Sequence, residues 1–370
     1  MKKFTSIILT ACMVASFSNN VFAQEDKKEV KNETVINLTI TDVANRLKND
    51  NIELKMIDEK IKLYNKLYGR DHAKAIEADN SGRSDVESKK TALLYAGQSA
   101  QRAEDAEHEK DSRFKEIKHD LERQYLNIVN CDREIDIINK SMKNVEEEIK
   151  KVNANVEQGK VTANTLDSLK VKKAQLLASL NLPKAQREEA LLKIKQYLNI
   201  DKNTQINFYG AKKDFIKFED TNINDLIKNA LDKNYNLKKQ KQNIEFAKLE
   251  EKIYMEYGRN SEDEETDLKI RMNDLQNSFE NDKTNLEVDI WKAYYDLMSK
   301  QNIAEIEKLN LENIKSKYNE MEAKLKQGLI DKLTLDSTEL QMEKQNVTAE
   351  KAINEYMITL EYFKDLLEGF

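Results

Sequence analysis

The chain has 370 residues, 35% of them charged and 39% hydrophobic, with 8 Gly and a single Pro. Proline costs about 3 kcal/mol in a helix interior, so this chain is free to form long helices and lacks the punctuation of many-stranded folds. Its 61 basic residues nearly balance 67 acidic ones, for a net charge of -6, which gives no global field for nucleic acid. With a mean hydropathy of -0.77, it does not read as a multi-span helical membrane protein.

Residues 1–23 have the pattern of a secretory signal peptide. Lys2 and Lys3 form the basic end, an apolar stretch follows from Phe4 to Phe17, and Val21-Phe22-Ala23 forms a cleavage site. A minority reading takes Leu9-Thr10-Ala11-Cys12 as a lipidation box. Cleavage after Ala23 leaves Cys131 as the one cysteine of the exported chain, so no intrachain disulfide is available. Residues 24–35 read as a flexible linker.

Two copies of one plan follow, at 36–200 and 218–370, joined by a connector at 201–217. Ile40-Thr41-Asp42-Val43-Ala44 aligns with Ile223-Asn224-Asp225-Leu226-Ile227, and Asn51 with Asn234, at an offset of 183. Further on, Thr165-Leu166-Asp167-Ser168 equals Thr334-Leu335-Asp336-Ser337, and Tyr125 aligns with Tyr294, at an offset of 169. The first copy is therefore 14 residues longer between the matched blocks (183 minus 169).

Each copy shows helical periodicity. Phe114, Ile117, Leu121, Gln124, Ile128, Cys131, Ile135, Ile138, Met142, Val145, Ile149, Val152 and Val156 alternate in steps of three and four, a heptad seam that requires a partner helix. Leu311, Ile314, Tyr318, Met321 and Leu325 repeat the steps in the second copy, and Met342 to Leu367 continues them after Gly328. Earlier helices are expected over roughly 40–68 and 222–256. Each copy thus reads as an antiparallel coiled-coil hairpin that breaks at Gly159 or Gly328, since glycine takes the left-handed conformation that ends helices. Asn164 or Thr165, and Thr334, are the expected caps of the returning helices, with Asp167 and Asp336 near their positive ends. Val161 and Leu329-Ile330 place apolar side chains at the turns, either as plain chain reversals or as docking tips. Ile206, Phe208 and Phe215 hint at short extended segments in the connector.

Enzyme chemistry has little support. Asp105-x-x-His108 and Glu116-x-x-His119 have carboxylate–histidine spacing, but lie about 16 Å apart on one helix and cannot share a metal ion. Cys131 falls on the apolar seam, and Glu262 to Glu265 lacks the loop spacing of a calcium site. The expected protein is not an enzyme, with no catalytic residue, cofactor or metal and no nucleic-acid partner.

The doubled hairpins, with turns Gln158-Gly159-Lys160-Val161 to Asp167 and Gln327-Gly328-Leu329-Ile330 to Asp336, resemble the TolC-type outer-membrane efflux family. Asp42 to Leu54 and Asp225 to Leu237 are similar to that family's opening helix, and Trp291 to Leu297 to the aromatic start of its descending helix. The resemblance implies an all-α fold of tandem coiled-coil hairpins and a homotrimeric conduit in the cell envelope. It also implies a membrane-fusion or adaptor protein as partner, engaged through Gly159, Val161, Asp167, Gly328, Leu329, Ile330 and Asp336. The family inserts membrane strands between the long helices of each copy. Here those stretches, 69–113 and 257–287, carry Asp-His-Ala-Lys (71–74), Asn-Ser-Gly-Arg (80–83) and Ser-Glu-Asp-Glu-Glu (261–265), without the alternation a spanning strand needs. A barrel-less relative is expected, with helical or loop connections there. The alternative is an exported coiled-coil scaffold or interaction protein with no transport role.

Overall fold

The computed structural model describes residues 35–160, 162–258 and 262–370. Residues 1–23, the expected signal peptide, and almost all of the expected linker lie outside the described residues.

The described residues open with a four-residue strand, β1 (Val35–Leu38), and the next residue, Thr39, caps α1 (Ile40–Asp50). Thr39 accepts from the Asp42 backbone N–H at 3.1 Å, and the Asp42 carboxylate takes the Thr39 N–H at 2.9 Å, a reciprocal capping box. Asn51 then interrupts the helix and starts α2 (Ile52–Asn80), its side chain accepting from the Leu54 N–H at 2.9 Å. A short α3 (Val86–Leu93) leads into α4 (Tyr95–Glu157), 63 residues and about 95 Å long. Beyond Gly159 the chain returns as α5 (Ala163–Ser179) and α6 (Asn181–Tyr197). The single proline, Pro183, is the third residue of α6, where its missing N–H leaves no intrahelical bond unmade.

The order then repeats, beginning in the connector. Strand β2 (Gln205–Phe208) pairs in parallel with β1, in the register Val35 to Gln205 and Leu38 to Phe208. Helices α7 (Ile223–Lys233) and α8 (Tyr235–Tyr257) follow, broken at Asn234, which caps α8 through the Leu237 N–H as Asn51 caps α2. Then come α9 (Glu262–Lys326), 65 residues, and α10 (Lys332–Leu367). Among the described residues, helix α3 has no counterpart in the second copy, and it lies in the interval that holds the extra 14 residues.

The expected hairpins form, and two refinements emerge. The all-helical expectation omits the β1–β2 pair. The aromatic run Trp291 to Leu297 does not open a helix; it lies well inside α9, which starts at Glu262. The stretches where membrane strands were weighed are helical instead: 69–113 belongs mainly to α2, α3 and α4, and 262–287 to α9. Among the described residues, β1 and β2 are the strands, and no helix is long and apolar enough to cross a membrane.

Two cores hold the molecule, one built mainly from each copy, with β2 of the connector joining the first. Leu38, Leu47, Leu54, Ile117, Leu121, Tyr125, Ile194 and Ile206 gather β1, β2, α1, α2, α4 and α6. Ile227, Leu237, Ile290, Leu297, Tyr356, Leu360 and Phe363 gather α7, α8, α9 and α10. The α4 seam is buried from Ile117 to Cys131, Phe114 before it is half-buried, and past Cys131 it is mostly half-buried. In that buried stretch Tyr125, Leu126, Val129 and Asn130 are buried as well, so more than one stripe of α4 is covered.

Candidate functional site

The long helices form an open array. Helix α4 packs between the α5/α6 pair and α10, and α10 packs between α4 and α9. The order across the array is α5/α6, α4, α10, α9. Ion pairs set the antiparallel register of its centre: Arg123 with Glu355, Arg133 with Glu350, Lys351 with Glu134, and Lys140 with Glu343. Because α10 runs antiparallel to both α4 and α9, the two hairpin turns lie at the same end. Val145 near the end of α4 and Leu333 at the start of α10 line one groove there.

The two turns share a backbone device. In the first, the Gly159 N–H reaches the Val156 carbonyl at 2.9 Å and the Lys160 N–H the Asn155 carbonyl at 2.9 Å. In the second, the Gly328 N–H reaches Leu325 at 2.9 Å and the Leu329 N–H reaches Lys324 at 3.0 Å. This is the Schellman pattern, with Gly159 at φ +69 and Gly328 at φ +72 in the left-handed region. The residue after the glycine commonly packs an apolar side chain back on the helix in this motif. Leu329 does not: it is 67% exposed, while Ile330 is half-buried.

The caps lie two or three residues before the expected positions. Asp331, not Thr334, caps α10, its carboxylate accepting the Thr334 N–H at 2.9 Å and the Thr334 hydroxyl at 2.7 Å. These bonds hold the Asp331 carboxyl below the usual range. Thr162, not Asn164 or Thr165, is the cap residue of α5, without a side-chain bond. The T-L-D-S identity falls inside each helix rather than at its cap, and in α10 the aspartate three residues upstream takes the cap from the threonine. Asp167 and Asp336 each stand fifth in their helices (163 to 167, 332 to 336). Asp167 is exposed and pairs with Lys170 at 3.0 Å, and Asp336 is half-buried. Val161 lies outside the described residues.

The outer members of the array carry apolar side chains that no other helix covers. On α9 these are Tyr295, Ile303, Ile306 and Leu309; on α5 and α6 they are Val171, Leu177, Leu182 and Leu192. Tyr295 and Leu309 fall on the side of α9 away from its half-buried seam of Leu311, Ile314, Tyr318, Met321 and Leu325, Ile306 lies on the flank, and Ile303 is in line with the seam where the seam's partner no longer covers it. Sequence periodicity identified the inner seams, and the outer stripes escaped it because a second, weaker stripe on a helix shows itself only once the first is spent on a partner.

The histidines belong to packing. His108 stacks on Tyr235 at 3.9 Å between centroids, and Asp105 accepts from the Tyr235 hydroxyl at 2.9 Å. His119 lies 2.7 Å from Asp365 across the α4–α10 interface. Among the described residues no group of three or more His, Cys, Asp or Glu could hold a metal ion. Burial pushes the Cys131 thiol up.

No family model and no curated protein matches the chain. Solved structures do. CusC, described for conformational changes accompanying folding and transmembrane channel formation, aligns over 90% of this chain and 92% of its own, at a TM-score of 0.66 and 8% identity. The fold is that of the TolC-type outer-membrane channels. The CmeC outer membrane channel of Campylobacter jejuni gives a TM-score of 0.63 at 11% identity, over 90% of this chain and 86% of its own. The outer membrane protein VceC of Vibrio cholerae gives 0.61 at 8%, over 89% and 96%. Sequences that differ at nine positions in ten share this TolC-type fold because heptad spacing and turn glycines, rather than particular side chains, specify it.

Proposed function

We propose that the chain is the structural tube component of an efflux or export assembly in the cell envelope, working as a homotrimer and docking a membrane-fusion or adaptor protein through its hairpin tips. The observation that carries this reading is the open array with two unlike apolar edges. A face on α9 and a different face on α5/α6, at opposite ends of the array, cannot satisfy each other within one chain. Joined between neighbours they make a head-to-tail interface, and such an interface closes into a ring when the rotation permits. Three copies is the number the resemblance to TolC-type channels implies. The tube then works by shape: helices stand side by side around a passage, and no bond is made or broken.

The tips supply the partner contact. Gly159 and Gly328 shape the turns, Leu329 and Ile330 offer apolar surface, and Asp167 and Asp336 flank it, with Val161 as the counterpart of Leu329-Ile330 in the first turn. Replacing Leu329 and Ile330 together with Asp is expected to abolish capture of a coexpressed adaptor while leaving helix content unchanged. Full capture by that variant would reject tip docking.

Edge variants test the tube. Ile306→Glu with Leu309→Glu, and separately Leu182→Glu with Leu192→Glu, are each expected to dissociate the assembly. Mixed together, the two variants retain one intact edge each and are expected to form a one-to-one pair. A wild-type chain that stays at protomer mass favours an extracytoplasmic scaffold instead.

A further inference from the structure

We propose that His119 is a proton-operated clasp between the two halves of the chain, closed when its imidazole carries a proton on each nitrogen and loosened when one is given up. Helix α4 presents the ring to α10, with 9% of the side chain exposed. Its Nε2 lies 2.7 Å from Asp365 Oδ2. A carboxylate only accepts, and Lys115, at 2.8 Å from Asp365 Oδ1, helps to keep this one ionised, so Nε2 is the donor. In a neutral ring the other nitrogen, Nδ1, is then a bare acceptor. It is buried and has no hydrogen-bond partner. The carboxylate oxygen beside it, Glu361 Oε2 at 3.8 Å, is an acceptor as well. Buried polar atoms almost always find a partner, and what this pair of acceptors lacks is a proton.

The groups around the ring say what that proton completes. They run Lys115, Asp365, His119, Glu361, Lys213, Glu122, Lys118, with successive contacts of 2.8, 2.7, 3.8, 2.7, 2.7 and 3.8 Å. Positive and negative alternate along this series only when His119 is a cation. Lys115, Lys118 and Glu122 stand on α4, Glu361 and Asp365 on α10, and Lys213 on the connector, so the series crosses from one half to the other. Nearby Arg123 and Glu116 are taken up by Glu355 and Arg113, and Tyr362 meets the ring edge-on. Histidine is the side chain that ordinarily changes charge between about pH 5 and 8. Burial works against that charge, and a carboxylate beside each nitrogen works for it. A proton needs no cavity, and Asp365 and Glu361, 26% and 34% exposed, join the ring to water. The carboxylates surround the ring only in the folded chain, so proton uptake strengthens the fold in acid, and that contribution is lost as pH rises. All these groups belong to one protomer, so the clasp stands whether or not the chain assembles into a tube.

NMR of the purified protein labelled with nitrogen-15 histidine tests this, because it reads both ring nitrogens of each of the 3 histidines. His119→Gln assigns the signal by its loss; should that variant not fold, His72→Gln and His108→Gln assign it by elimination. Nε2 of His119 is expected to keep its proton from about pH 5 to 8, while Nδ1 is protonated at the lower end and bare at the upper. An Nδ1 that is bare at both ends, or protonated at both, overturns the clasp. Glu361→Gln leaves Lys213 on Glu122 and is expected to require at least about threefold more acid for the same change at Nδ1. An unmoved transition overturns the role of Glu361 and the clasp with it. In urea denaturation the midpoint advantage of the native chain over His119→Gln is expected to fall by at least about half between the two ends of that pH range. An equal advantage at both ends, which packing alone would give, overturns the proposal.

Discussion

Tyr125 and Tyr356 fasten the crossover from the first copy to the second. The Tyr125 hydroxyl lies 2.9 Å from the Leu38 and Tyr209 carbonyls and 3.1 Å from the Tyr209 N–H, so it ties the end of the strand pair to α4. The Tyr356 hydroxyl accepts the Phe218 N–H at 2.9 Å and lies 2.9 Å from the Ile216 carbonyl, which ties the end of the connector to α10. Between them Lys213 reaches Glu122 and Glu361, both at 2.7 Å. Tyr125→Phe removes the donor to the buried Leu38 carbonyl and is expected to cost about 1–3 kcal/mol in urea denaturation; Tyr356→Phe is expected to cost less, since Gln301 Oε1 still accepts the Phe218 N–H at 3.0 Å, and a Tyr125→Phe cost below a few tenths would dismiss the fastening role. Repeat alignment pairs Tyr125 with Tyr294 instead, whose hydroxyl binds Asp220 at 2.7 Å and is pushed up to about 12 by that bond and by burial. The fastening was illegible in the sequence because its partners are carbonyls and N–H groups, which every residue carries. Asp365 supplies a pH signature. Burial alone would raise its carboxyl, but hydrogen bonds with Lys115 and His119 outweigh that and hold it below the usual range. A depressed folded value means its stabilisation is complete above pH of about 4, the unfolded value, and is lost as pH falls through the folded one. Asp365→Asn is expected to lower stability at pH 7 and to flatten its decline below pH 4. An unaltered acid profile would contradict this.

At the scale of elements, the long helices were legible because a heptad repeat is sustained over many turns and only a helix satisfies it. The residues of the α9 seam, from Leu311 to Leu325, are the half-buried ones. The turns were legible through glycine. Gly328 sits at φ +72 with nothing within 4 Å of where a Cβ would lie, so Gly328→Ala meets no clash and pays only the left-handed backbone cost. Its expected destabilisation is about 1–2 kcal/mol by thermal or chemical denaturation; a neutral result would mean the turn relaxes away from the Schellman geometry. The breaks at Asn51 and Asn234 aligned in the sequence as a matched pair, yet nothing there says that each asparagine ends one helix and caps the next. That follows from their extended ψ near 124, which the packing of α1 and α7 imposes. The strand pair was hinted at from one side only. Ile206 and Phe208 suggested an extended segment, but four-residue strands leave too short a pattern to name a partner 170 positions away.

For the whole molecule, duplication yields two cores and one shared frame. Each copy buries its own apolar cluster, and the α4–α10 interface joins them through ion pairs and His119–Asp365. Helices α2, α4 and α9 extend into the stretches where TolC-type proteins are expected to carry strands, and α3 packs across to α8, where Lys90 meets Glu250 at 2.6 Å. That absence of alternation was readable in the sequence, whereas the edges of the array were not, since which faces remain uncovered depends on how all four helices are arranged. The mass of purified residues 24–370 in solution, by sedimentation or native mass spectrometry, tests the account most directly. A tube closed through the α9 and α5/α6 edges predicts three times the protomer mass, falling to one when either edge carries glutamates. A wild-type chain at protomer mass across the micromolar range would contradict it.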